Sequence, residues 1–316
     1  MRVAILDDYL NVALELGDWS RLDDKADLSV FDQPFTDQDE AAEKLADFEI
    51  IVGMRERTPF PADLLKRLPR LKLLVTTGMR NLSFDMEAAK AQGVTVCGTG
   101  AAGQPTAELA WAILLGLACQ IPAHDSGMKA GRWQTKLNGD LGGKTLGVLG
   151  LGKLGSAVAK VGLAFGMDVI AWSQNLTDER AAEVGVRRVD KDTLMSQSDY
   201  ISIHLILSDR SRGLIGADDL ARMKSSAYLV NTSRGPIVDQ DALLKALQDR
   251  QIAGAGIDVY SVEPLPADSP FRTLDNVLLT PHMGYVATDN ISKMYSDAAE
   301  DIAAFLDGDP VRILNG

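Results

Sequence analysis

Several residue types that mark whole classes of protein are scarce here. There are two cysteines, Cys97 and Cys119, so neither a disulfide framework nor a thiolate metal centre is expected. Each lies in apolar surroundings and reads as buried filler. Basic residues number 32 against 44 acidic ones, and the resulting charge of −12 argues against a general nucleic-acid or anionic-membrane binder. An anionic substrate would then need a local cluster of positive charge. No apolar run reaches the roughly 18 residues that suggest a spanning helix. The opening Met1–Asp8 reads as a strand running into acid, not as the apolar core of a signal peptide. The expectation is a cytoplasmic protein without a metal, a membrane or a nucleic-acid partner.

What is present is ordinary globular material: 46% hydrophobic and 24% charged residues in a chain of 316, enough for about two domains. Strand patterns fall at residues 3–6, 28–31, 50–52, 71–76 and 94–97, with helical patterns at 37–48, 61–68 and 84–92. That alternation predicts a parallel sheet with helices on both faces. A Gly-rich stretch, Gly98–Gly103, then leads into an apolar helix over Pro105–Ile121 with proline at its entry. A helix apolar on nearly every side is buried or packed against another subunit, and a subunit contact is the favoured expectation. A second βα series runs from Thr145, with strands at 145–149, 168–172, 200–204, 227–230, 253–257 and 277–280, and a last helical stretch covers 286–306.

Gly150-Leu151-Gly152-Lys153-Leu154-Gly155 follows the strand Leu146–Leu149 and opens a helix over Ser156–Phe165. In strand–loop–helix context this GxGxxG is a dinucleotide signal. The first glycine makes the tight turn, the second admits a pyrophosphate, and the third lets helix and strand pack closely. The helix N-terminus then offers unpaired N–H groups to the phosphates. An acid is expected at the end of the next strand to hold the ribose hydroxyls, but Val169–Trp172 is followed by Ser173-Gln174-Asn175. Asp178 and Glu179, slightly further on, look like the start of another helix. NAD and NADP both stay open.

Three polar islands end later apolar runs: Asn231-Thr232-Ser233-Arg234-Gly235, Asp258 through Glu263-Pro264, and Thr280-Pro281-His282-Met283-Gly284. At the carboxyl ends of parallel strands, where ligands collect, Arg234, Glu263 and His282 supply an anion clamp, a carboxylate and a proton carrier. Together with Gly150–Gly155 this ordered set resembles the D-isomer-specific 2-hydroxyacid dehydrogenases, over essentially the whole chain. The resemblance implies an α/β fold of two doubly wound parallel-sheet lobes, a Rossmann NAD(P)-binding lobe inserted into a flavodoxin-like substrate lobe. The expected limits are residues 1–98 with 283–316 for the substrate lobe and 99–282 for the dinucleotide lobe.

The resemblance also implies roles. Arg234 would bind the substrate's carboxylate and keto oxygen, His282 would exchange a proton with the carbonyl oxygen, and Glu263 would hydrogen-bond the other imidazole nitrogen. Cofactor-side residues would be Gly150, Gly152, Lys153, Leu154, Gly155, Ser173, His204, Thr232, Asp258 and Gly284, with Asp258 facing the nicotinamide amide. His124 reads as structural. On the small lobe Arg55, Met79 and Arg80 would meet the substrate, and Arg55, Arg57 and Arg80 could receive a second anionic group. Here the chain departs from the family, which usually has Gly at Arg80, Asp-Asn at Leu82-Ser83 and a further Gly at Tyr285. The expected activity is reversible hydride transfer between NAD or NADP and a small 2-keto acid of the hydroxypyruvate, glyoxylate or phosphoglycerate type, in a homodimer. The competing expectation is a non-catalytic, NAD(H)-sensing corepressor-like protein on the same fold.

Overall fold

The computed structural model describes residues 1–316, the side chain of Asp23 excepted. The chain forms two compact units, Met1–Gly103 with Val286–Gly316, and Gln104–Tyr285.

The first unit is built on a five-stranded parallel sheet of β1 (Arg2–Ile5), β2 (Asp27–Val30), β3 (Ile50–Gly53), β4 (Leu73–Thr76) and β5 (Thr95–Gly98). Its order, β2-β1-β3-β4-β5, is the flavodoxin-like one. β3 and β4 are buried at every position, as strands covered on both faces must be, which is why they read as unbroken apolar runs. The helices begin where acids can cap them. Asp37 accepts from the amides of Asp39 and Glu40 at the Gln38–Leu45 helix, and Asp85 from that of Ala88 at Met86–Ala91. The Thr288–Leu306 helix returns to pack on β4 and β5. Its buried Asp301 accepts from Arg312 Nε at 3.0 Å, which ties the C-terminal segment to the helix. Cys97, at the end of β5, is buried, and burial pushes its thiol up to about 12.

The second unit has seven parallel strands: β6 (Thr145–Leu149), β7 (Asp168–Trp172), β8 (Arg187–Arg188), β9 (Tyr200–Ile203), β10 (Tyr228–Asn231), β11 (Gly254–Ile257) and β12 (Val277–Leu279). In the order β12-β11-β10-β9-β6-β7-β8 the direction of winding reverses between β6 and β9. That switch point is where a doubly wound sheet opens a crevice for a ligand. The two-residue β8 has no counterpart in the sequence expectations; so short an edge strand carries no periodicity to read.

The apolar helix required two corrections. It runs Pro105–Ala118, and Gln120 at φ 52° turns the chain into a second, unanticipated helix, Ile121–Lys129. The favoured subunit contact is also overturned. Ala110, Trp111, Ile113, Leu114 and Leu117 are buried in the unit's own core with Leu146, Val148 and Val169. Cys119, just after it, is half-buried and not fully enclosed. Among the described residues no single helix is long and apolar enough to cross a membrane; these two pass only as a pair, bent by 61°.

Candidate active site

Register places the three polar islands side by side. β10 pairs in parallel with β11, and β11 with β12, so Asn231 stands opposite Ile257 and Ile257 opposite Leu279. Asn231–Arg234, Asp258–Glu263 and Thr280–Gly284 therefore leave the sheet at one edge.

Each turn is fixed by its own polar groups. After β10, Asn231 Nδ2 donates to Arg234 O at 3.0 Å and the Ser233 hydroxyl donates to Ile203 O at 2.6 Å. Arg234 itself is half-buried, with Nη1 donating to Ser233 O at 2.7 Å. After β11, the Tyr260 hydroxyl reaches back to the carbonyls of Ile257 and Thr280, both at 2.9 Å, joining two of the loops.

Asp258 has no exposed surface. Its Oδ1 accepts from the Thr280 hydroxyl at 2.6 Å and the Met283 amide at 2.9 Å, and its Oδ2 from the Gly284 amide at 3.0 Å. One buried carboxylate thus holds the loop on both sides of His282. That residue sits in the left-handed region at φ 52°, a conformation non-glycine residues keep when their surroundings impose it.

Glu263 Oε2 lies 2.5 Å from His282 Nδ1, and Glu263 Oε1 accepts from the Tyr260 amide at 2.8 Å. Tyr285 packs edge-on to the imidazole, ring centroids 5.7 Å apart. The Gly284 carbonyl accepts from the Thr106 hydroxyl at 2.7 Å.

The phosphate loop lies at the same edge, after β6. Gly150 has φ +99°, and a Cβ there would press on the His204 carbonyl oxygen. A Cβ at Gly155 would overlap the Gly150 carbonyl oxygen, so the Lys153–Ala164 helix can approach β6 only with glycine. Gly152, by contrast, faces open space, with nothing within 4 Å of its Cβ position. Beside it is a cavity of about 300 Å³ whose lining includes Gly150, Gly152, Trp172, Ser173 and His204. His204 Nε2 is 2.8 Å from the Ser202 hydroxyl, while its Nδ1 is buried without a partner among the described residues, and burial lowers its pKa to about 4. The Thr232 hydroxyl is likewise buried and unpartnered. A glycine cradle open at Gly152, a helix N-terminus and two orphaned polar atoms fit a bound dinucleotide.

The structure thus brings Arg234, Glu263, His282, Thr232, Asp258 and Gly284 to the ends of β10–β12, and Gly150–Gly155, Ser173 and His204 to the ends of β6, β7 and β9. Arg55, Met79 and Arg80 belong to the first unit, after β3 and β4. There Arg55, at φ 54°, donates from Nη1 to Thr77 O at 3.1 Å, Met79 and Arg80 are exposed, and Arg57 stacks over the Tyr9 ring at 4.7 Å. His124 lies in the Ile121–Lys129 helix, 3.1 Å from Asn138 Oδ1. Sequence reasoning missed Tyr260 and Thr280, whose hydroxyls join loops far apart in the chain.

Comparison with known proteins points one way. The family described as D-isomer specific 2-hydroxyacid dehydrogenase, NAD binding domain, matches residues 111–284. A glyoxylate reductase of Korarchaeum cryptofilum is 34% identical over 281 residues, 86% of this chain and 84% of that protein. The crystal structure of a phosphoglycerate oxidoreductase from Vibrio cholerae superposes with a TM-score of 0.93 at 36% identity, covering 98% of this chain and 99% of that one. A D-lactate dehydrogenase of Aquifex aeolicus, solved with NAD and lactic acid, gives 0.82 at 26% identity, with 99% of both chains covered.

Proposed function

The chain belongs to the D-isomer-specific 2-hydroxyacid dehydrogenase family, and from that premise we propose that Arg234, Glu263 and His282 carry its reaction. It is an NAD(P)-dependent oxidoreductase acting on the CH–OH group of a small 2-hydroxy acid, or on the matching 2-keto acid in reverse. The observation that carries the assignment of residues is the 2.5 Å pairing of Glu263 with His282 at the carboxyl edge of the sheet.

The nicotinamide, when bound, supplies or accepts the hydride. What the chain contributes is placement and charge. The guanidinium of Arg234 can give two parallel hydrogen bonds to a carboxylate and keto oxygen, fixing the substrate's reactive end. His282 donates a proton from Nε2 to the carbonyl oxygen in reduction and takes it back in oxidation. Glu263 holds Nδ1, setting the ring's orientation and stabilising it while it is positively charged. Asp258 is assigned the positioning of the loop that bears His282, since its carboxylate is taken up by three donors of that loop. Gly150, Gly152, Lys153, Leu154 and Gly155 are assigned the pyrophosphate, with Ser173, His204, Thr232 and Gly284 alongside. Arg55 and the Met79–Arg80 turn are proposed as substrate-binding groups of the other unit.

A cytoplasmic homodimer completes the proposal. Its support is two unpaired cysteines, which suit a reducing compartment, and the exposed apolar side chains Ile121, Met128, Trp133 and Leu137. The direct test is initial-rate screening of glyoxylate, hydroxypyruvate, pyruvate and phosphohydroxypyruvate with NADH and NADPH. Turnover of at least one acid, lost in His282→Ala, is expected. Firm cofactor binding with no turnover of any member would overturn the reading.

A further inference from the structure

The cavity beside the phosphate loop also bears on which dinucleotide the chain takes. Its lining also includes Ser173, Gln174, Asn175 and Arg210. Ser173 directly follows β7, the place from which a carboxylate holds the two ribose hydroxyls when NAD is preferred. None of the residues lining the cavity carries a carboxylate, and Arg210 carries the only charge. Asp209, beside Arg210 in sequence, is not among the lining residues, and the acids that follow the Ser173–Asn175 turn belong to a helix. Asp178 and Glu179 stand in the first turn of the Asp178–Val184 helix, and Asp178 lies 3.4 Å from Arg188 Nη1. His204, neutral because burial lowers its pKa to about 4, adds no charge to the cavity near neutral pH.

Arg210 is presented by a braced turn after β9. The Ser208 amide donates to the Ser211 hydroxyl at 2.8 Å, that hydroxyl donates to Ile206 O at 2.7 Å, and the Arg212 amide donates to Ser208 O at 2.9 Å. The Arg210 side chain is exposed and has no hydrogen bond or ion pair among the described residues. Nor do the side chains of Ser173, Gln174 and Asn175, so the lining carries donors with no acceptor of their own among the described residues. In a chain of net charge −12, a cavity lined by one guanidinium and no acid is a local reversal of sign.

We propose that this cavity receives a 2′-phosphate beside the Ser173–Asn175 turn, and that Arg210, which lines the same cavity, makes the chain prefer NADP(H) to NAD(H). A dianionic phosphate would meet an arginine fork and side-chain donors. A 2′-hydroxyl would lack the carboxylate that normally accepts from it. The inference rests on the dinucleotide-dependent reading above, and its test must separate the two.

Binding of 2′,5′-ADP and of 5′-AMP to the full-length protein, measured by titration calorimetry, does so without any turnover. About tenfold or tighter binding of 2′,5′-ADP is expected, the size of one charge-assisted hydrogen-bond pair. Arg210→Gln should erase most of that ratio while changing 5′-AMP affinity much less. Equal affinities in the unaltered protein would overturn the proposal and leave the dinucleotide reading standing. A preference that survives Arg210→Gln would overturn the role of Arg210. Failure to bind either nucleotide, NADH or NADPH would overturn both.

Discussion

Glu263 and His282 leave different strands, β11 and β12, and meet with 2.5 Å between Oε2 and Nδ1. The carboxylate is itself held, because its other oxygen accepts from the Tyr260 amide. The group that orients the imidazole is thus itself anchored. Replacing His282 by Ala should lower kcat for 2-keto acid reduction by about 10²–10⁴ while nucleotide affinity stays near its original value. Glu263→Gln keeps an acceptor but removes the charge, and a smaller loss of about 10–10² is expected. Steady-state kinetics in which Glu263→Gln matches the unaltered protein would refute the role given to the carboxylate.

Asp258 separates two readings of the same residue. As an anchor it accepts from Thr280, Met283 and Gly284. Asp258→Asn turns one acceptor into a donor facing an N–H or O–H, at a cost of about 1–3 kcal/mol. The urea midpoint should fall and kcat should drop with it, because the His282 loop loses its support, while NAD(P)H affinity changes little. A variant whose main defect is cofactor affinity would restore the cofactor-facing role implied by the family resemblance.

The contrast between these residues shows what the sequence could reveal. Arg234, Glu263 and His282 were visible because each ends an apolar run, and strand ends on a parallel sheet share an edge. The phosphate loop was visible because its constraints are local: Gly150 and Gly155 are required by contacts made within a few residues or one strand away. The anchoring by Asp258 was not visible, since it depends on the register of β11 against β12, which brings residue 258 beside 280–284. The Pro105–Ala118 helix failed for a related reason. Its composition demands that every face be covered, but nothing in the pattern says whether the cover is the chain's own sheet or a partner's. Arg210 carries no motif, and only the cavity it lines draws notice to it.

Gly152 and Gly155 should fail in different ways. Gly152 has nothing within 4 Å of its Cβ position and an ordinary negative φ, so Gly152→Ala should fold with an unchanged Tm. Its methyl would enter the cradle and weaken dinucleotide binding, by an expected factor of about ten or more. Gly155→Ala forces a methyl onto the backbone oxygen of Gly150, so overpacking of about 1–3 kcal/mol should appear in thermal unfolding. Equal Tm values for the two variants would remove the distinction.

The dimer proposal rests on apolar groups left uncovered around the Ile121–Lys129 helix. Trp133 is 73% exposed and Leu137 95%, values unusual for side chains of that size. Sedimentation at micromolar concentration should give a dimer, and the double variant Trp133→Glu, Leu137→Asp a folded monomer. A monomer from the unaltered chain ends the proposal.

Asp301 gives the first unit a pH dependence whose sign can be worked out. The residue has no exposed surface; Oδ1 accepts from Arg312 Nε at 3.0 Å and Oδ2 is buried without a partner among the described residues. Burial pushes its pKa up to about 7, against the pull of Arg312, with Asp297 and Glu300 adding to the rise. Between the ordinary value of 3.8 and about 7 the folded chain holds a proton that the unfolded chain has released. Its contribution to stability is therefore full below the unfolded value and is lost as pH rises through the folded one. Asp301→Asn keeps an acceptor for Arg312 and abolishes the titration. Across about pH 5 to 8.5 the unaltered protein should lose more stability than the variant, so the variant's Tm minus that of the unaltered protein should rise with pH. Parallel Tm profiles would mean that Asp301 holds no proton in the folded chain beyond what the unfolded chain holds.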